Sequence, residues 1–406
     1  MATVYARRAW QQWEAAHKPG TPAPWSDELL AWQVRAALRQ NEGDPQRWRW
    51  IQGAIEAMTP AEQRDSAWVY WRARAISAGA PAGPDGDAAR AASRQSLEAM
   101  SGQFNFYAKL ATEDLGGRIT LPPTPAPLST TEREAAARNP GLARGLQLIA
   151  LGLRSEGVRE WNFTLRGMND RELLAAAQVA CDRQVWDRCI NTSDRTRNEI
   201  DVAQRFPLPH RALITAQARA HGLDPAVVFG LIRQESRFMM ELRSSVGATG
   251  LMQLMPATAV WTAKQVGLDF RPEMINDREV NLRLGAFYLK RVLDDFGGSL
   301  SLATAAYNAG PGRPRRWREG GPVMEPAAWA ESIPFNETRD YVKKVLSNSV
   351  YYAILLNAAA SPTGAQPAPS PANVPTLKGR LGPAIGPLTG VREPGAVAPD
   401  RDRSTP

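Results

Sequence analysis

The sequence predicts a mainly α-helical protein of several domains, and three observations lead to this prediction. Hydrophobic residues recur with a helical period through most of residues 4–357, helix start signals recur along the same stretch, and in the N-terminal part no strand-type alternation competes. At 406 residues the chain is long for one domain, so two or three are expected.

The first predicted domain, residues 1–120, is an α-superhelix of successive helical hairpins that is apparently truncated at its start. Helices are expected to begin after Ser26 and at Asp44-Pro45. Another is expected at Thr59-Pro60-Ala61-Glu62, which has the form of a capping box with Pro at the first helical position.

Tryptophan is concentrated in this first domain, which holds eight of the chain's 13. Such a cluster could form a sugar-binding platform. Pairs such as Trp68 and Trp71 stand three residues apart, however, and therefore share a helix face. This spacing favours core packing between stacked helices.

The second predicted domain, residues 121–204, is a helical linker domain. Its first segment, LPPTPAPLSTTERE, excludes a helix until Ser129 or Thr130 can cap one. Cys181 and Cys189 lie further on, eight residues apart, in no common zinc-binding pattern. Two readings stay open: two buried thiols, or a disulfide across a short helical turn in an oxidising compartment.

Residues 358–406 are predicted to be a disordered tail. The segment holds 10 of the chain's 32 prolines and almost no aromatic residue, so it is not expected to bury a core.

Composition narrows the function class. A formal net charge of +8 favours an acidic partner. Nucleic acid is not expected, because the basic residues form no stripe. No run of about 18 apolar residues occurs, so no membrane span is predicted. The start, MATVYARRAWQQWEAAH, lacks the apolar segment of a signal peptide, so either the protein is cytosolic or its natural start lies upstream of Met1.

One glutamate stands at the edge of an apolar helix face in the stretch DPAVVFGLIRQESRF. Asp224 and Pro225 suit the start of a helix, and on its 3.6-residue period Glu235 shares a face with Val228, Leu231 and Ile232. Burial raises the pKa of a carboxyl, and a carboxyl protonated near neutral pH can act as a general acid. The alternative, a surface pair with Arg233 or Arg237, is disfavoured, because residues two positions apart point elsewhere on a helix.

Three later stretches carry further candidate residues. In SSVGATGLMQLMPATA, Gly247 and Gly250 allow close approach to a ligand, and Gln253 can donate and accept hydrogen bonds with sugar hydroxyl and acetamido groups. In LATAAYNAGPGRPRRW, Tyr307-Asn308 ends a helix of small residues. In IPFNETRDYVKKVL, Glu337 and Tyr341 stand at i, i+4 on one helix face.

Four pieces in order, RQESRF, GATGLMQLMPATA, AAYNAGP and IPFNETRDYVKKVL, resemble the soluble lytic transglycosylases, the Slt family. The resemblance covers about 206–357 well and extends more loosely upstream. It implies a C-terminal lysozyme-like α domain, residues 205–357, mounted on a helical superhelix.

The resemblance also implies an activity. The family cleaves the β-1,4 bond between N-acetylmuramic acid and N-acetylglucosamine in periplasmic peptidoglycan, leaves a 1,6-anhydro end and consumes no water. One residue, matching Glu235, serves as acid and then base. No cofactor and no metal are expected. The matching substrate-binding positions are Ser244, Gln253, Tyr307, Asn308, Glu337 and Tyr341.

Several candidates also have simpler interpretations. Met252 and Met255 are expected in the core, Tyr341 could serve packing, and Asn308 could serve the turn before Gly310. His210 and His221 lie outside the motifs and are interpreted as structural or surface residues.

The sequence departs from the family's usual pattern at two places, and rival functions stay open. Met239-Met240 stands where the family often has Asn-Pro, and Ser245 where Pro is usual, which affects the loop after Glu235. The rivals are a hydrolytic muramidase, a non-catalytic peptidoglycan-binding scaffold and a cytosolic helical adaptor.

Overall fold

A computed structural model describes residues 2–16, 24–360 and 376–387. This described part contains 21 α-helices, two 3-10 turns and isolated β-bridges, without a longer strand. The predicted mainly α fold class is thereby confirmed. None of the helices in the described ranges is long and apolar enough to cross a membrane.

The helices follow one another with short connections. The first six are α1 (Ala2–Ala16), α2 (Asp27–Leu38), α3 (Pro45–Glu56), α4 (Ser66–Gly79), α5 (Pro84–Met100) and α6 (Phe106–Asp114). The next six are α7 (Thr130–Arg138), α8 (Pro140–Ala150), α9 (Arg154–Thr164), α10 (Asp170–Asp182), α11 (Trp186–Ser193) and α12 (Val202–Arg205). The remaining nine are α13 (Arg211–Ala220), α14 (Pro225–Glu235), α15 (Pro256–Gln265), α16 (Arg278–Asp295), α17 (Leu300–Ala309), α18 (Gly312–Arg318), α19 (Pro326–Glu331), α20 (Asn336–Ala360) and α21 (Leu377–Leu381).

The chain divides into two compact units. The first unit comprises the described residues of Met1–Ile119, Arg291–Val350 and Gln366–Pro406, and the second comprises those of Thr120–Lys290 and Tyr351–Ala365.

In the first unit, each of the helices α1 to α5 packs against the next helix along the chain, as expected for helical hairpins. Trp68 and Trp71 are buried, which confirms core packing for this pair. Trp32 and Trp48 are half-buried and lie beneath arginine guanidinium groups, such as that of Arg35 5.0 Å from the Trp32 ring centroid. Most of the surface of these four tryptophan side chains therefore packs against other residues of the protein.

Two of the three helix starts predicted here are confirmed. The Ser26 hydroxyl accepts a hydrogen bond from the Leu29 amide, and the Asp44 carboxylate accepts one from Gln46. The start predicted at Thr59 is wrong, because only a 3-10 turn, Glu62–Arg64, follows it. The Thr59 hydroxyl accepts from the Glu62 amide at 3.3 Å, but the Thr59 amide donates to Asp27 and not to Glu62, so the capping box is incomplete. Asp65 caps α4.

The second unit begins with the predicted linker and its capping box. The Ser129 hydroxyl accepts from the Glu132 amide, and the Glu132 carboxylate accepts from the Ser129 amide. Cys181 and Cys189 form a disulfide between α10 and α11, with their Cα atoms 4.9 Å apart. Of the two readings that the sequence leaves open, the structure has the disulfide.

Part of the predicted tail is folded. The expectation of disorder over 358–406 is wrong for 376–387, which form α21 and a short extended segment in the first unit. Leu377, Leu381 and Ile385 are buried there, because their spacing of four residues places them on one side of the segment. The tail residues 361–375 and 388–406 lie outside the described residues.

Candidate functional site

Glu235 is the last residue of α14, in the second unit. The Asp224 carboxylate accepts from the Ala226 amide and Pro225 is the first helical residue, as predicted. All eight residues from Ala226 to Arg233 are buried, whereas Glu235 is half-buried. The glutamate therefore stands where the buried face of the helix meets solvent.

Arg233 holds α14 to the linker domain. Its guanidinium lies 3.0 and 3.1 Å from the two carboxylate oxygens of Asp194 and donates to the carbonyl of Arg205. It also lies 4.5 Å from the ring centroid of Phe206. This arginine binds within the second unit's interior and does not form the surface pair considered for Glu235.

The chain turns sharply directly after Glu235. Arg237 and Phe238 have φ values of 48° and 64°, in the left-handed region that is uncommon for residues with a Cβ. Ser236 is buried, and its hydroxyl donates to the carbonyl of Leu251, 2.8 Å away. Strained backbone of this kind persists where the surrounding structure fixes it, and it often occurs at functional sites. Ser236 stands inside RQESRF, but sequence reasoning assigned it no role.

Ser244 and Gln253 shape the loop that follows. The half-buried Ser244 hydroxyl accepts from the Ala248 amide at 2.9 Å. Gln253 is 3% exposed, has φ 45° and donates through its amide group to the carbonyls of Leu242 and Gly250, at 2.9 and 2.8 Å. Both side chains thus stabilise the loop, and their contact with a sugar stays a prediction.

Gly250 approaches a protein side chain where a ligand was expected. Its φ is 82°, and a Cβ added there would lie 2.2 Å from the amide nitrogen of Asn281. Asn281, on α16, is fully buried, accepts from the Met252 amide and donates to the carbonyls of Thr249 and Ile275. Sequence reasoning missed Asn281, because about 30 residues separate it from the loop that it holds.

The residues with simpler interpretations have clear places. Met252 is fully buried against Gly285, as expected of a core residue, while Met255 is half-buried. His210 precedes α13 and His221 follows it, both half-buried, and burial lowers the pKa of both. Within the described ranges, no three His, Cys, Asp or Glu side chains gather as metal ligands.

Tyr307 and Asn308 lie near the end of α17, in the first unit. Tyr307 is fully buried. The side-chain amide oxygen of Asn308 accepts a hydrogen bond from the Thr338 hydroxyl at 2.7 Å, so Asn308 joins α17 to α20. The turn predicted after it is present, with Gly310 at φ 80°.

Glu337 and Tyr341 share a face of α20, in the same unit. Glu337 is exposed, and Tyr341 is 4% exposed. Of the seven predicted site residues, the second unit therefore holds Glu235, Ser244 and Gln253, and the first unit holds Tyr307, Asn308, Glu337 and Tyr341.

The sequence analysis did not predict the role of Glu331, the last residue of α19. Its side chain is 1% exposed and lies 3.0 Å from Arg35 and 2.8 Å from Lys343, and it accepts from the Tyr107 hydroxyl. Burial opposes its ionisation, but Lys343 and Arg35 outweigh that effect and lower the pKa of the carboxyl. The sequence around Glu331, PAAWAES, contains no motif that predicts its contacts with these distant residues.

Three family models match the chain. They are the transglycosylase SLT domain at residues 212–324, the soluble lytic murein transglycosylase L domain at 135–198 and the soluble lytic transglycosylase helical domain at 332–360. The SLT match contains Glu235, Ser244, Gln253, Tyr307 and Asn308.

Relatives and solved structures agree with these matches. The soluble lytic murein transglycosylase of Salmonella typhimurium is 33% identical over 80% of this chain and 49% of its own length. An inactive glutamate-to-glutamine mutant of lytic transglycosylase Slt from Pseudomonas aeruginosa is 33% identical, with a TM-score of 0.72 over 82% of this chain and 52% of that one.

The 70 kDa soluble lytic transglycosylase of Escherichia coli is 28% identical, with a TM-score of 0.67 over 82% of this chain and 52% of that one. The chain thus spans about half the length of the relatives that it matches. By its sequence matches and its fold, the chain is similar to the soluble lytic transglycosylases over about 80% of its length, and residues 212–324 match the transglycosylase SLT domain.

Proposed function

We propose that the protein is a lytic transglycosylase that cleaves the β-1,4 bond between N-acetylmuramic acid and N-acetylglucosamine in peptidoglycan and leaves a 1,6-anhydro-muramic end. The observation that carries this proposal is the place of Glu235: half-buried, last in a buried helix, within the matched SLT domain and directly before a strained turn.

This place suits a carboxyl that starts the reaction protonated. The C-terminal end of a helix carries partial negative charge, which disfavours a second negative charge there. Partial burial acts in the same direction, because it penalises the charged form. The turn at Ser236–Phe238 fixes the backbone at the end of the helix, which limits the positions open to the carboxyl.

The reaction can be written with one protein acid. Glu235 donates its proton to the glycosidic oxygen as the bond between that oxygen and C1 breaks. The positive charge that develops at C1 is shared by the ring oxygen and the substrate's own 2-acetamido group. The C6 hydroxyl then bonds to C1, and the Glu235 carboxylate takes the proton of that hydroxyl. Glu235 ends protonated, so a second carboxylate and a water molecule are not needed.

Substrate contacts are proposed for six residues that match family positions: Ser244, Gln253, Tyr307, Asn308, Glu337 and Tyr341. The exposed carboxylate of Glu337 suits hydrogen bonding to sugar or peptide donors. The buried side chains of Gln253, Asn308 and Tyr341 suit the fixing of the loop or helix that carries each of them.

We further propose a periplasmic location, because peptidoglycan is the proposed substrate. The disulfide between Cys181 and Cys189 supports this location, because disulfides persist in oxidising compartments. The net charge of +8 supports it as well, because the stem peptides of peptidoglycan carry carboxylates.

The test is a mass spectrum of the soluble muropeptides that the protein releases from purified sacculi. The proposal predicts products one water lighter than those of a lysozyme. Products at the hydrolysed mass would instead identify a muramidase. Protein that binds sacculi but releases no product would identify a scaffold.

Two variants sharpen this test. Glu235→Gln is expected to bind sacculi but release no product above background. Glu241→Gln is the matched control, because this exposed glutamate lies six residues further along the same segment. Equal loss of product in both variants would contradict the role of Glu235.

A further inference from the structure

The folded part of the C-terminal tail, residues 376–387, lies across three elements of the first unit. It contacts α6, α17 and α19. We call these residues the strap. Its buried apolar side chains are Leu377, Leu381 and Ile385, at 0%, 2% and 3% exposure. These side chains are as completely buried as core side chains elsewhere in the unit, so their burial stabilises the docked strap.

The N-terminal end of the strap is fixed to α6. The carboxylate of Glu113 accepts from the backbone amides of Leu377 and Lys378, at 2.6 and 2.9 Å. These amides open α21, where a carboxylate complements the positive end of the helix. The Lys378 ammonium lies 2.5 Å from the carboxylate of Asp114, the neighbouring residue on α6.

The middle of the strap is fixed to α17. The hydroxyl of Ser301, in the first turn of α17, donates to the carbonyl of Leu381 at 2.8 Å. All residues of α17 from Ser301 to Ala309 are buried. The far end of α17 carries Tyr307 and Asn308, about 9 Å from Ser301 along a rigid helix.

The C-terminal end of the strap pairs with the segment between α18 and α19. Met324 and Ile385 exchange two backbone hydrogen bonds of 2.8 Å each. The Arg318 guanidinium donates to the carbonyl of Gly386. A Cβ on Gly386 would lie 2.8 Å from the Val323 side chain, so glycine permits this close approach.

From these contacts we propose that the strap is a positioning element for the reaction. It binds to the surface formed by α6, the first turn of α17 and Met324. This docking fixes the position of α17 and thereby the positions of Tyr307 and Asn308. The proposal rests on the proposed function for its effect on turnover. The docking itself is independent of that function.

The strap is far in the sequence from the residues that bind it in α6 and α17. Glu113 precedes it by 264 residues and Ser301 by 80. Release of the strap therefore removes hydrogen bonds and apolar contacts from α6 and α17 without cutting either helix. The backbone hydrogen bonds within α17 do not involve the strap, so α17 is expected to shift while it stays helical.

The experiment compares two full-length variants that add the same charge. Leu381→Asp places a carboxylate at a buried strap position, and Ala384→Asp places one at an exposed position of the same strap. Leu381→Asp is expected to lower kcat for anhydro-muropeptide release by about tenfold or more, because small displacements of positioning groups reduce turnover strongly, with little change in KM. Ala384→Asp is expected to leave both unchanged.

Two further readouts separate positioning from general loss of fold. In Leu381→Asp, the α17 amides are expected to exchange hydrogen faster, while those of α14 keep their protection. A synthetic peptide of residues 376–387, added to Leu381→Asp, is expected to slow the α17 exchange again and to restore kcat. Where Leu381→Asp does not fold, Glu113→Gln weakens the same docking more mildly and is measured in its place.

The outcomes decide the proposal. Unchanged kcat in a variant whose strap amides exchange freely would overturn it, and so would peptide binding without recovery of kcat. A wild-type protein that releases no anhydro-muropeptide would refute the proposed function alone. In that case the docking of the strap on α17 is supported if hydrogen exchange of the α17 amides rises in the variant and falls when the peptide is added. Any other result would refute the docking.

Discussion

Glu235 and Glu331 each end a helix of this protein, and their surroundings differ. Glu331 ends α19 and is 1% exposed, with Arg35, Lys343, Arg339 and the Tyr107 hydroxyl within 4 Å. Glu235 ends α14, is half-buried, and is followed by a turn with two left-handed residues. The same residue type at the same helical position thus has two environments.

The difference shows how a fold can separate a structural carboxylate from the reactive carboxylate that we propose. Three cations stabilise the charged form of Glu331 and keep it ionised, so it is a poor proton donor. Partial burial at the negative end of a helix instead favours the protonated form that our proposal requires of Glu235. Exposure, and not residue type, is the feature that leaves Glu235 accessible to a substrate.

Removing the charge of Glu331 is expected to give the largest change in stability. Glu331→Gln leaves Arg35, Arg339 and Lys343 without their buried carboxylate, and breaking a buried ion pair in this way costs about 3–5 kcal/mol of unfolding free energy. Urea denaturation measures the change. Glu28→Gln, at an exposed glutamate of α2, is the control and is expected to stay within about 0.5 kcal/mol.

The pH dependence of stability follows from the same carboxyl. The pKa of Glu331 is lower in the folded protein than in the unfolded chain, so its contribution is fully present above the unfolded value of about 4.3. That contribution is lost as the pH falls through the folded pKa. The unfolding free energy of wild type should therefore decline more steeply in acid than that of Glu331→Gln, and parallel curves would contradict this role.

The support behind Glu235 can be weakened from the linker domain. Asp194→Ala removes the carboxylate that binds the buried guanidinium of Arg233. Because Asp194 is 35% exposed, we expect a moderate loss of about 1–3 kcal/mol in unfolding free energy. A several-fold lower turnover should accompany it. Asp269→Ala, at an exposed position, should change neither quantity, and an equal loss in both variants would argue against this support.

The smallest expected effect comes from the turn itself. Ser236→Ala removes the hydrogen bond to the carbonyl of Leu251 and should lower the unfolding free energy by about 0.5–1.5 kcal/mol. Turnover should fall a few-fold, because the residue next to Glu235 becomes less fixed. Ser245→Ala, exposed in the same loop, is the control. Unchanged turnover in Ser236→Ala would show that this bond serves stability alone.

Local patterns in the sequence predicted local structure well. The helix starts at Ser26, Asp44, Ser129 and Asp224 follow from single capping residues, whose hydrogen bonds reach only two or three positions along the chain. The capping box predicted at Thr59 is incomplete because a distant carboxylate, Asp27, accepts the hydrogen bond of the Thr59 amide. A long-range contact of this kind leaves no periodic signal in the sequence.

The same limit applies to the candidate site. The helical period predicted Glu235 at the edge of an apolar helix face, and Gly250 was predicted to allow a close approach. The partner of Gly250, Asn281, and the cations around Glu331 come from other parts of the chain. The strap was missed for the same reason, because three apolar residues in a proline-rich tail bury themselves only against helices that the sequence places far away.

The most direct test of this account measures turnover and unfolding free energy for Glu235→Gln and Glu331→Gln side by side. We expect Glu235→Gln to lose about 10²–10⁴-fold in anhydro-muropeptide release, with unfolding free energy within about 0.5 kcal/mol of wild type. Glu331→Gln should lose stability and, where it remains folded, keep most of its turnover. Sustained release of anhydro-muropeptides by Glu235→Gln would contradict the central claim.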